Sequence, residues 1–149
     1  TVFGVFRTTG GVRESRASLR ARRGTFVSKT VLTIDDSRTM REMLNHALVE
    51  AGYTVLQAVD GVEGLEVLEA NGGSVDVVIT DINMPRLDGF GVIEGVRANP
   101  AHRATPILVL TTESDATKKE RARSAGATGW IVKPFNPVKL IDAVRRVAA

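Results

Sequence analysis

Apolar residues along this chain follow two alternating rhythms. Short, nearly unbroken Val/Ile/Leu-rich runs recur at 30–34, 53–58, 75–80, 107–110 and 129–132, each stopping at polar or turn-forming residues. Continuous runs of this length predict parallel strands buried on both faces. Between them the spacing changes to three and four. Met40, Met43, Leu44, Ala47, Leu48 and Ala51 mark an amphipathic helix that Gly52 can end, and its methionines are expected in the core. Val62, Leu65 and Leu68 mark a second helix over 61–70, closed by Gly72-Gly73, and Phe90, Ile93 and Val96 a third over 89–97. A fourth, over 115–125, offers only Ala116, Ala122 and Ala125, so it buries little and should be loosely held. Asn136 and Pro137 form a cap and first-turn pair for a last helix carrying Leu140, Ile141, Val144 and Val147. Strand–helix alternation five times over predicts an α/β fold: one doubly wound, five-stranded parallel sheet with five helices on its two faces.

Charge divides the chain in two. The 149 residues carry a formal net charge of +3, but residues 1–28 hold six Arg and one Glu, leaving 29–149 mildly acidic. The basic pI therefore belongs to the first segment, and no nucleic-acid binding is expected from 29–149. Residues 1–28, rich in Gly, Thr, Ser and Arg, read as a basic disordered extension, with a phosphate-touching arm as the lesser alternative. Val27 stands just before the first strand, and some bacterial start codons elsewhere encode Val. This suggests that 1–26 is an over-long reading of the gene, with 29–149 the folded domain. The chain has no Cys, no apolar run near bilayer length and no signal-peptide core. A monomeric cytoplasmic protein without membrane contact is expected.

The strand ends change the picture. In an open α/β sheet the ligand crevice lies beyond the carboxyl ends of the strands. There the first strand delivers Asp35 and Asp36, the third Asp81, the fourth Thr111 and the fifth Lys133. Each alone could be a cap, a turn residue or a solvated Lys. Together they are hard to explain by capping. Three carboxylates in one crevice repel by roughly 4 kcal/mol per pair at about 4 Å. A divalent cation with oxygen ligands, Mg²⁺ or Mn²⁺, removes that cost. Lys133 and the Thr111 hydroxyl add a cradle for a tetrahedral dianion, and the sum points to phosphoryl transfer onto Asp81. His46, among polar helix positions, and His102, in an expected loop, carry no metal signal.

Asp35-Asp36, the run Asp81-Ile82-Asn83-Met84-Pro85 with Asp88-Gly89, Thr111 and Lys133-Pro134-Phe135 resemble the receiver domain of two-component response regulators over about 29–149. The stand-alone chemotaxis (CheY-type) branch is the nearest likeness. The resemblance implies the flavodoxin-like strand order 2-1-3-4-5, which is CheY's own order. It further implies that Asp81 accepts a phosphoryl group from the His of a CheA-like sensor kinase. Asp36, Asp81 and the backbone carbonyl of Asn83 would bind Mg²⁺, with Asp35 acting mostly through water. Lys133 would pair with the phosphoryl oxygens, Thr111 would swing toward them, and Trp130 would turn inward behind it. The Lys133–Pro134 bond would be cis. Asn83 and Glu113 stand where the chemotaxis branch tunes hydrolysis of the acyl phosphate. Thr112 departs from the smaller Ala of many receivers, narrowing access, and Trp130 replaces the commoner Tyr or Phe.

The loose fourth helix would then act with the fifth strand and last helix as an output face, switched by the phosphate. Lys118, Lys119, Arg121 and Arg123, with Lys139, Arg145 and Arg146, could dock an acidic or amphipathic segment, although most such charges serve solubility. The expected output is protein contact, first with the flagellar motor switch, otherwise as a phosphate sink or phosphorelay intermediate. A haloacid-dehalogenase-like phosphatase would want an acid at position 83, where this chain has Asn. A flavin or nucleotide binder would want a phosphate loop where it has Asp35-Asp36-Ser37-Arg38.

Overall fold

The computed structural model describes residues 3–5 and 28–148. In chain order the elements are β1 (Phe3–Val5), β2 (Thr30–Ile34), α1 (Arg38–Glu50), β3 (Thr54–Ala58), α2 (Gly61–Ala70), β4 (Val77–Thr80), α3 (Gly89–Ala98), β5 (Ile107–Thr111), α4 (Ala116–Ala125), β6 (Gly129–Val132) and α5 (Pro137–Ala148). Single 3₁₀ turns at Gly72–Ser74 and Pro100–His102 follow α2 and α3.

The sheet runs β1-β6-β5-β4-β2-β3. Its five strands from β2 onward are parallel and, counted from Thr30, follow the expected order 2-1-3-4-5. β1 is an addition. Phe3, Gly4 and Val5 lie antiparallel against Ile131, Trp130 and Gly129, so these three residues correct the expectation that all of 1–28 is disordered. Most of that basic extension, and the proposed start at Val27, lie outside the described residues.

Alternation of side chains along each strand divides the core into two layers. On one face Leu32, Ile34, Val78, Val109 and Trp130 pack with Leu68, Phe90, Val96 and Ala122 from α2, α3 and α4. On the other, Val31, Val77, Ile79, Leu108, Leu110 and Ile131 meet Leu44, Leu48, Leu140 and Val144 from α1 and α5. β4 and β5 are buried along their whole lengths, as continuous apolar runs require.

One expectation about a single residue fails. Met43 is 47% exposed because the α1 stripe centres on Leu44 and Leu48, and Met43 lies at its flank, lining a groove toward α5. His102 is fully enclosed in its 3₁₀ turn, with Nδ1 against the Thr105 hydroxyl at 2.9 Å and Nε2 against the Gly72 carbonyl at 2.7 Å.

α4 is as thinly anchored as its composition implies: Ala122 is its one buried residue. Its ends are well specified. The Asp115 carboxylate accepts from the amides of Thr117 and Lys118, and Gly126, at φ +117°, closes the helix in the left-handed conformation glycine tolerates. Between these caps Arg121 lies over the Phe90 ring of α3, 4.0 Å from its centroid.

Candidate functional site

Parallel pairing in register stops β2, β4, β5 and β6 at one edge of the sheet, which brings their terminal polar residues together. Asp35 is buried directly after β2, Asp36 beside it is exposed, and Asp81 follows β4 with 9% of its surface accessible. Oxygens of the three carboxylates lie within 4.8 Å of one another, an acidic cluster able to hold a metal ion. Its donors are all hard oxygens, partly open to solvent through Asp36, and they suit Mg²⁺ or Mn²⁺ better than a softer ion.

Lys133 closes the cluster from β6. Its Nζ donates to Asp35 Oδ2 at 2.8 Å and to Asp81 Oδ2 at 2.9 Å, with about a tenth of its side chain exposed. The Lys133–Pro134 bond is cis, and the Lys133 amide donates to the Thr111 carbonyl at 2.8 Å. The second oxygens of the acids are held by the backbone: Ser37 N donates to Asp35 Oδ1 at 2.9 Å and Ile82 N to Asp81 Oδ1 at 2.6 Å. Burial pushes the Asp35 carboxyl above its usual range, against the lowering by Lys133 and the Ser37 amide. Burial alone would lower the Lys133 ammonium, but its hydrogen bonds to Asp35 and then Asp81 outweigh that and hold it above its ordinary value.

Gly89 explains how α3 starts so close. A Cβ there would stand 2.2 Å from the Asp81 carbonyl oxygen, and the Gly89 amide donates to the Ile82 carbonyl at 2.8 Å. Any side chain would push the helix away from the strand end that carries Asp81.

On the far side of the crevice, Glu113 gathers the remaining residues. Its amide donates to the Thr111 hydroxyl at 3.3 Å, and its carbonyl accepts from Trp130 Nε1 at 3.1 Å. Its carboxylate accepts from Asn83 Nδ2 at 3.2 Å and from Lys118 Nζ at 2.9 Å. Lys118 first, and Asn83 after it, hold the Glu113 carboxyl below the usual range. Trp130 is already inward, 1% exposed, packed in the layer beneath α3 and α4. Thr112 is exposed at the rim.

Two groups near the crevice were not singled out in the sequence. Lys118 reads there only as one of several cations on the output face of α4, because its partner lies in the preceding loop. Arg86, at φ +67°, donates through Nε to Asp60 Oδ2 at 2.7 Å and through Nη2 to Asp60 Oδ1 at 3.1 Å. Asp60 itself caps α2 through the Glu63 amide at 2.9 Å, so one carboxylate ties the loop after β3 to the loop after β4. The signal was an Asp following a strand, at β3 as at β2 and β4. The other cations expected on the output face are largely engaged locally: Arg121 with Phe90, Arg123 with Glu120 and Arg146 with Asp142.

The flavodoxin-like parallel sheet thus gathers an acid cluster and a Lys at its carboxyl edge, and the sequence match supplies the class. Residues 31–145 match the response regulator receiver domain family, and the chain belongs to it. It is similar to chemotaxis protein CheY1 of Helicobacter pylori (strain J99), 42% identical over 118 residues that cover 78% of this chain and 94% of that protein. A CheY homolog of Campylobacter jejuni is 38% identical over 78% of this chain and 90% of its own length. The solved structure of Vibrio cholerae chemotaxis protein CheY4 superposes with a TM-score of 0.76 at 45% identity, covering 81% of this chain and 99% of that one. The protein is thus a CheY-like response regulator receiver, a signalling protein, and no helix among its described residues is long and apolar enough to cross a membrane.

Proposed function

We propose that this receiver works in a chemotaxis pathway by carrying a phosphoryl group on Asp81, donated by a CheA-like histidine kinase, with its chemistry dependent on Mg²⁺. The observation that carries this reading is Lys133 Nζ set between Asp35 and Asp81 at 2.8 and 2.9 Å, with Asp36 at the open side. In the transfer an Asp81 oxygen forms a bond to phosphorus while the phosphorus–nitrogen bond of the phosphohistidine breaks, its electron pair returning to the imidazole. Asp36, Asp81 and the Asn83 carbonyl would hold the cation, with Asp35 acting through water, and the bound ion supplies positive charge to the transferring oxygens. Lys133 supplies the second positive charge, at an atom fixed in advance by Asp35. The Thr111 hydroxyl oxygen accepts from the Glu113 amide, which leaves its own O–H to donate to a phosphoryl oxygen.

The output is contact with another protein through α4, β6 and α5, and the similarity to chemotaxis CheY proteins favours the flagellar motor switch as partner. α4, with one buried residue, is the element a new dianion can shift. Incubation with a small phosphodonor and Mg²⁺, followed by peptide mass spectrometry, should place one acid-stable, hydroxylamine-labile phosphoryl group on Asp81. Asp81→Asn should take up none, and chelation of the metal should suppress labelling of the wild type. Labelling elsewhere, or none, overturns the reading. Capture of a motor-switch protein by the beryllofluoride-loaded form supports that partner, whereas capture of kinase or phosphotransferase alone supports a sink or relay.

A further inference from the structure

Glu113 joins the crevice to α4 through a cation that belongs to neither the acid cluster nor its Lys. Lys118, in the first turn of α4, places Nζ 2.9 Å from Glu113 Oε1, and the same oxygen accepts from Asn83 Nδ2 at 3.2 Å. The three side chains form a continuous bridge from the loop after β4, two residues past Asp81, to the helix after β5. Lys118 is 43% and Glu113 27% exposed, so the pair is neither free in solvent nor locked in the core. The helix fixes one end of this bridge: the Lys118 amide is itself held by the Asp115 cap at 3.1 Å. The Glu113 backbone meanwhile holds Thr111 and Trp130.

We propose that Lys118 is a positioning residue that sets the lifetime of the phosphoryl group, an inference that rests on Asp81 being the acceptor. Hydrolysis requires a water oxygen to bond to phosphorus in line with the breaking bond to Asp81, whose carboxylate keeps the electron pair, while the water's protons pass to phosphate and solvent. Lys118 neutralises Glu113 and keeps it bridged to Asn83 over that approach. Without Lys118, Glu113 is an unpaired acceptor beside the approach, free to swing off Asn83 and to orient water. The acyl phosphate then decays faster.

The test loads Asp81 with a small phosphodonor and Mg²⁺, removes the donor, and follows loss of the aspartyl phosphate by intact mass. Lys118→Met should shorten the lifetime about two- to fivefold, the range a half-exposed ion pair supplies. Lys118→Arg, which keeps the cation, should restore most of it. In a Glu113→Ala background, Lys118→Met should change the decay no further. Equal lifetimes for Lys118→Met and wild type, or the same shortening without Glu113, would overturn the proposal. A wild type that takes no label on Asp81 overturns instead the reading beneath it.

Discussion

At the scale of single residues, Lys133 is the group whose removal the structure punishes most directly. Asp35 and Asp81 face each other across its ammonium, both nearly enclosed. Lys133→Met leaves two buried carboxylates without their cation, and the expected cost is about 3 kcal/mol of unfolding free energy. Mg²⁺ should recover part of that loss by binding the same acids, so urea denaturation of Lys133→Met with and without the ion should show a larger metal-dependent gain than the wild type does. Asp60 gives a pH dependence of known sign. Its hydrogen bonds with Arg86 hold the carboxyl below its usual range, with the Glu63 amide helping. A carboxyl lowered on folding contributes stability above its unfolded pKa and loses it as pH falls through the folded value. The destabilisation caused by Arg86→Met should therefore be constant at neutral pH and shrink in acid, as denaturant midpoints across a pH series would record. Asp81, Lys133 and their neighbours were legible in the sequence because strands end on them. Lys118 and Arg86 were not, since each acquires its role from a partner in another loop.

At the scale of elements, the contrast between α4 and α5 has a measurable counterpart. α5 buries Leu140, Ala143, Val144 and Ala148, whereas α4 buries Ala122 alone. Hydrogen exchange should find the amides after Lys118 in α4 poorly protected relative to those of α5, despite sound caps at both ends. Comparable protection in the two helices would contradict a movable output element. α3 is the opposite case. Gly89→Ala would drive a Cβ against the Asp81 carbonyl, and a cost of about 3 kcal/mol together with weakened metal binding is expected. Helices and parallel strands were readable because an uninterrupted apolar run and a three-four spacing leave little room for another assignment. The misreading of Met43 shows the limit of periodicity: it gives the direction of a stripe, while the width that is covered depends on how far α5 reaches across α1.

At the scale of the molecule, the sheet both divides the core and collects the chemistry at one edge. The site residues come from strands in register, so their geometry is as firm as the parallel ladder itself. The five-stranded order followed from the family likeness, while composition and alternation alone gave the class of fold. β1 is invisible in the sequence because three residues carry no period, and its partner lies more than a hundred positions away.

That small strand has a consequence for how copies of the protein meet. β1 covers the outer backbone edge of β6 from Gly129 to Ile131, whose N–H and C=O groups alternate between the two neighbouring strands. An unclaimed row of such groups is a template for a neighbour's backbone. Replacing Phe3, Gly4 and Val5 together by Pro, which has no N–H to offer, should quicken deuterium uptake across Gly129–Ile131 and promote self-association at high concentration, seen by sedimentation. The tail, whatever else it does, acts as a hem on the cloth: a few stitches that keep one molecule from being sewn to the next.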